Sequence, residues 1–198
     1  MYQCHSNMYN YFKIIFSLLV LLLCALCSFF VTKHANQIAF NALTLDEIPR
    51  IYSIFSSISS TITALIPLIV FFFLYGTTEI MMNTIFEEKI DKMDLFFIVG
   101  VALVPFLIYQ YFFWYNLSTY CNVNLIKTPD DYYTIKFMFN LSFSEINFIG
   151  KICWILLYLI IINLLYFRKK SLYKVLTSVI SPSLLVFLIY NIILLVSH

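Results

Sequence analysis

Glycine is almost missing from this chain, with three in 198 residues. A loop that cradles phosphate with backbone amides needs several glycines close together, so a nucleotide-binding loop of that kind is excluded. Charge is scarce too, at 11% of residues, where soluble domains carry roughly a quarter. A chain so poor in charge cannot cover a water-facing surface. Histidine stands only at positions 5, 34 and 198, in no H-x-x-x-H or H-E-x-x-H spacing, so neither a metal site nor metal-dependent hydrolysis is expected. The five cysteines, Cys4, Cys24, Cys27, Cys121 and Cys153, fit no zinc or redox pattern. Cys24 and Cys27 are spaced C-x-x-C, but they lie in an apolar run without a charged neighbour to stabilise a thiolate. Bulky Leu23 and Leu26 precede them, which excludes a lipoprotein cleavage site, so the run reads as an anchor. The net charge of +2 is small and scattered, and gives no case for nucleic acid as a partner.

What is present is apolar: 62% of the residues are hydrophobic. A helix needs about 20 mostly apolar residues to cross about 30 Å of hydrocarbon. Runs near 14–31, 52–76, 95–115, 148–167 and 175–196 meet or approach that length. Open strands cannot cross lipid with unpaired backbone groups, so these runs predict helices. The expected fold is all-α, a single polytopic domain over residues 1–198 with the bilayer as its first partner. The many Phe, Tyr, Ile and Asn residues suggest an AT-rich genome. They fit the cytoplasmic membrane of a bacterium, with an endomembrane of an AT-rich eukaryote as the alternative.

Orientation follows from basic residues at the span ends. Arg168, Lys169, Lys170 and Lys174 form a short basic loop between spans four and five. Placing it in the cytoplasm puts Lys13, Lys89 and Lys92 on the same side. Seven of the twelve basic residues are then inside, and five (Lys33, Arg50, Lys127, Lys136 and Lys151) outside. Trp114, Tyr115 and Trp154 fall together at the outer boundary, where amphipathic rings prefer to sit. The expected topology is N-terminus in, C-terminus out.

The connectors carry local signals. Thr44 to Glu47 has capping-box spacing with Pro49 after it, so helix two should begin there. Ser53, Ser56, Ser57, Ser60 and Ala64 make a small-residue stripe suited to close helix packing in lipid. Residues 77–94 alternate apolar and acidic positions at helical spacing, which predicts an interfacial amphipathic helix. Between spans three and four, Ile135, Phe137, Phe139, Leu141 and Phe143 alternate with polar residues after the turn signal "KTPDDY". This predicts a small outer β-hairpin, or else an interfacial coil dipping its rings into the headgroups. Phe137, Phe139, Leu141 and Phe143 are the candidate partner contacts. Asn116 and Asn140 match the N-x-Ser glycosylation pattern.

Inside the spans the sequence places no ionisable side chain, so the carboxylates of a pump and the base of a membrane serine hydrolase are both wanting. Pro105 should bend span three, and Gly100 should make room beside it for a neighbouring helix. Neutral Gln110 and Asn191 fall at similar outer depth and are candidates for an interhelical hydrogen bond. No catalytic residue and no cofactor is expected.

Three stretches in the C-terminal half carry a resemblance: "FIVGVALVPFLI" with Gly100 and Pro105, "ICWILLYLIIINLLYF" with Trp154, and "RKKSLYKVLTSVISPSLLVFLI" with Pro182. With five spans and a short basic loop, the chain resembles the Yip family of five-span membrane proteins. Eukaryotic members of that family interact with Ypt/Rab-type GTPases. The resemblance implies a non-enzymatic membrane protein that binds or organises other membrane proteins. The alternative from the residues is a small membrane subunit of a transporter or toxin-immunity system, using the outer 117–147 segment for contact.

Overall fold

The apolar runs do fold as helices, and most extend well beyond their hydrophobic centres. The computed structural model describes the backbone of residues 2–42, 49–121, 135–168 and 170–196, and the side chains of 8–40, 52–121, 135–168, 170–188 and 191. Among the described residues the α-helices are α1 (Tyr2–Ala42), α2 (Pro49–Ile80), α3 (Lys92–Ala102), α4 (Val104–Tyr120), α5 (Phe143–Phe167) and α6 (Leu172–Val196). No strand occurs among the described residues. Among the described residues, four helical stretches, Met8–Phe40, Tyr52–Ile85, Lys92–Tyr120 and Phe143–Phe167, are long and apolar enough to cross a bilayer. Helix α6 is apolar too and runs for 25 residues. The fold is therefore helical and of membrane type. Helix α1, at 41 residues, would measure about 60 Å at the α-helical rise, twice the hydrocarbon thickness.

Local chemistry explains where helices start and stop. Pro49 opens α2, where its missing N–H costs nothing; the expected Thr44–Glu47 capping box lies outside the described residues. The amphipathic helix expected over 77–94 does not form as a separate element. Instead α2 runs on to Ile80, widens into a π turn over Met81–Ile85, and gives way to irregular chain over 86–91. Glu87 there takes a left-handed φ of 53°, which no helix continues through. The Asn83 side-chain oxygen accepts from the Ile90 N–H at 2.9 Å and closes the bend.

Span three is interrupted rather than simply bent. Leu103 separates α3 from α4, and Pro105 sits in the first turn of α4. A proline is tolerated there because the first-turn N–H groups have no intrahelical partner.

The hairpin is the clear correction. Its first arm falls largely in residues outside the description, but its second arm is no strand. Residues 135–137 take no strand or bridge, and Met138–Asn140 form a single 3₁₀ turn. Phe139 and Asn140 both take φ 61°, which breaks the two-residue alternation a strand requires. Ser142 then starts α5 with a reciprocal cap. Its N–H and hydroxyl both donate to Glu145 at 2.7 Å, and the Glu145 N–H returns to Ser142 Oγ at 3.4 Å.

Packing divides the chain into two units. The first comprises Met1–Leu18, Val70–Ala102 and Leu156–His198, the second Leu19–Ile69 and Leu103–Ile155. The first unit buries Phe71, Leu74, Met82, Leu95, Val99, Leu157, Ile161, Leu165 and Val175. Phe96 receives the edges of Phe71 and Tyr75, at 4.8 and 5.6 Å between centroids. Gly100 lies where α3 meets α1. A Cβ there would stand 2.6 Å from Ser17 Cβ and 2.9 Å from its Cα, so only glycine fits. The expected room beside Gly100 is thus filled by Ser17.

The second unit buries Leu21, Cys24, Ile38, Leu103, Phe106, Leu117, Phe137 and Ile146. Trp154 packs on Phe106 at 4.8 Å. Asn116 is fully buried: its Nδ2 donates to Phe112 O at 2.7 Å, and its Oδ1 accepts from the Met138 N–H at 2.8 Å. That bond anchors the 3₁₀ turn to α4 and leaves Asn116 no room for a glycan.

Candidate functional site

The first unit holds a cluster of charged residues built around two carboxylates. Lys13 lies on α1 and keeps only 5% of its side chain exposed. A buried ammonium is costly unless it is paired. Its partner is Asp94 in the first turn of α3, where the helix N-terminus also favours a negative charge. Lys13 bonds Asp94 Oδ1, and the Arg168 guanidinium bonds Oδ2. Lys13 also stands 4.2 Å from the centre of the Tyr9 ring. Ser17, one turn on, donates to Lys13 O at 2.9 Å and to Phe96 O at 3.3 Å.

The second carboxylate, Glu88, receives Lys174 at 2.9 Å and Lys170 at 3.3 Å. Hydrogen bonds from Lys174, then Lys170, hold its carboxyl below the usual carboxylate range. Lys170 also donates to Lys89 O at 2.7 Å, and Lys174 to Phe86 O at 3.3 Å. The chain from Arg168 to Lys174 is thus stapled to the chain from Phe86 to Asp94. Lys92 pairs with Glu79 at 2.7 Å at the exposed edge. A cavity of about 250 Å³ opens here, lined by Lys89, Asp91, Asp94, Ile98, Arg168 and Lys170, among others.

Chemically, the charges of this arrangement satisfy one another. Each central carboxylate already accepts from two cations. Among the described residues, no three His, Cys, Asp or Glu side chains gather as a metal ion would need.

No family model, curated protein or solved structure matches this chain. Its function has to be argued from its own residues.

The structure scatters the residues singled out by the sequence. Phe137 is 3% exposed and belongs to the second unit's core, whereas Phe139 is 76% exposed. Leu141 is half-buried, and Phe143 opens α5 with its ring 5.9 Å from that of Phe113. The four do not share a face. Asn191 donates to Phe187 O of its own helix at 2.7 Å. Gln110 Oε1 is buried without a hydrogen-bond partner among the described residues. Cys24, Cys27, Cys121 and Cys153 carry free thiols.

The Lys13–Asp94–Arg168 cluster was missed because its members stand 81 and 74 positions apart. One signal was available. Lys13, Ser17, Val20, Cys24, Ser28 and Val31 recur at three and four residues along α1, and all six are buried. A lysine on such a stripe faces protein rather than lipid.

Proposed function

We propose that this chain is a non-catalytic integral membrane protein of the Yip-like type, with five spans, that binds or organises other membrane proteins. The observation that carries this reading is Phe139. It is 76% exposed, and a 3₁₀ turn holds it at a left-handed φ of 61°. A non-glycine residue in that region is strained and persists only where its surroundings over-determine it. Here the bond from Met138 N–H to buried Asn116, and the Ser142–Glu145 cap, fix the turn on both sides. A large ring presented on a fixed turn is a contact for a partner. The alternative of a transporter or immunity subunit uses the same contact, and the identity of what binds decides between them.

The proposed topology has the N-terminus in the cytoplasm and the C-terminus outside. It is supported by the contacts that bring Lys13, Lys170, Lys174 and Arg168 around Asp94 and Glu88, since residues bonded to each other lie on one side. The test uses protein with its native cysteines replaced. Cysteine at position 139 should react with an impermeant maleimide in intact cells, and cysteine at position 170 only after permeabilisation. Labelling of both from one side ends the topology. In mild detergent, Phe139→Ser should lose whatever membrane protein co-purifies with the parent; equal recovery at equal expression ends the contact.

A further inference from the structure

The second unit contains a cavity of about 440 Å³, within the range of small-ligand sites. One part of its wall is apolar, formed by Ile66, Phe106 and Trp154. Another is polar, formed by Thr63, Gln110 and Lys151. Two helices approach closely beside it, because a Cβ on Gly150 would stand 2.7 Å from the Tyr109 ring.

Gln110 Oε1 is buried at this wall without a hydrogen-bond partner among the described residues. Pro67 also lines the cavity and lies inside α2. Having no N–H, it leaves the carbonyl of Thr63, four residues earlier, without its helical donor. Lys151 adds a cation that is solvent-exposed and carries no ion pair among the described residues. A buried acceptor without a donor, as Gln110 Oε1 is, is rare in native proteins and leaves a site for a donor from outside the chain. The complement of this wall is a molecule with hydroxyl donors, an acidic group and an apolar body. In a chain of membrane-spanning helices, the molecule at hand with that chemistry is a lipid.

We infer that this cavity binds an anionic glycerophospholipid with a polyol head. Head hydroxyls donate to Gln110 Oε1 and the Thr63 carbonyl, the phosphate meets Lys151, and acyl carbons lie against Ile66, Phe106 and Trp154. No covalent step is involved.

Trp154 provides the readout. The chain has two tryptophans, so Trp114→Phe leaves Trp154 as the reporter. Protein in detergent is titrated with phosphatidylglycerol bearing brominated acyl chains, which quench an indole on contact. Brominated phosphatidylcholine has the phosphate without hydroxyl donors, and brominated diacylglycerol has a hydroxyl without phosphate. Phosphatidylglycerol should quench at concentrations about tenfold lower than either, the ratio given by 1.4 kcal/mol of net hydrogen bonding. Gln110→Leu should bring phosphatidylglycerol to the phosphatidylcholine level, and Lys151→Met should bring it to the diacylglycerol level. Because Lys151 is exposed, its variant tests the site without disturbing the core. Equal quenching by phosphatidylglycerol and phosphatidylcholine in the parent overturns the inference. So does selectivity unchanged in both variants.

Discussion

The two polar regions of this molecule are opposites. Around Asp94, cations and carboxylate satisfy one another, and the buried charge of Lys13 has its counter-ion in contact. Around Gln110, a buried acceptor waits without a donor beside an open cavity. A polar group held by its own chain is structure; one left over is an invitation to something else. The contrast makes opposite predictions for mutations that look alike on paper, each replacing one polar side chain in a helix.

The largest effect belongs to Asp94. Asp94→Asn leaves the Lys13 ammonium buried without its counter-charge, and removing one partner of a buried pair costs about 3–5 kcal/mol. Unfolding followed by circular dichroism in detergent should show a loss of that size. The double variant Lys13→Met/Asp94→Leu removes both charges and should recover most of it, because well-packed apolar residues replace buried pairs at little cost. A double variant no better than Asp94→Asn would mean that Arg168, not Lys13, is the partner that matters. Asp94→Asn as stable as the parent would remove the ionic half of the contrast.

Gln110 should behave in the other sense. Replacing a buried acceptor that has no partner removes a desolvation cost without breaking a bond, so Gln110→Leu in delipidated protein should be neutral or stabilising by about 1 kcal/mol. A loss comparable to that of Asp94→Asn would show that Gln110 is held by its own chain. The two regions would then be of one kind.

How much of this could be read in the sequence depends on distance along the chain. Helices and their apolar centres are local: the runs near 14–31, 52–76, 148–167 and 175–196 each lie within one observed helix, and 95–115 is divided between α3 and α4 at Leu103. Gly100 was legible as a place for a neighbour, though not as a seat for Ser17, because glycine announces a close approach without naming who approaches. The strand at 135–143 failed for a physical reason. Strict alternation records which residues are apolar, but a strand also needs a ladder partner, and here the backbone turns left-handed at Phe139 and Asn140 instead. The cap that replaced it, Ser142 with Glu145, was plain in the spacing and points to the start of α5, five residues before the expected 148. The ion pairs of Asp94 and Glu88 were illegible because each joins segments more than seventy positions apart.

The smallest effect sharpens the comparison from within the ionic region, between its two carboxylates. Glu88 pairs with Lys174 and Lys170 where water can reach it. Hydrogen bonds from those lysines depress its folded-state pKa below the ordinary value of 4.5. A depressed carboxyl pKa stabilises the folded state above the unfolded value, and that contribution is lost as pH falls through the folded one. The contribution should therefore be whole at neutral pH and fade only below 4.5. Water and salt screen an exposed pair, so raising the ionic strength should shrink it further. Melting temperatures of the parent and Glu88→Gln, taken from neutral to acid pH, isolate this group, since the other acids titrate in both. The gap between the two curves should be modest, constant near neutrality, and closing as the solution turns acid. A gap that widens on acidification would mean that Glu88 is held neutral rather than charged. Its lysines would then be stapling the chain through their bonds to the carbonyls of Lys89 and Phe86 alone.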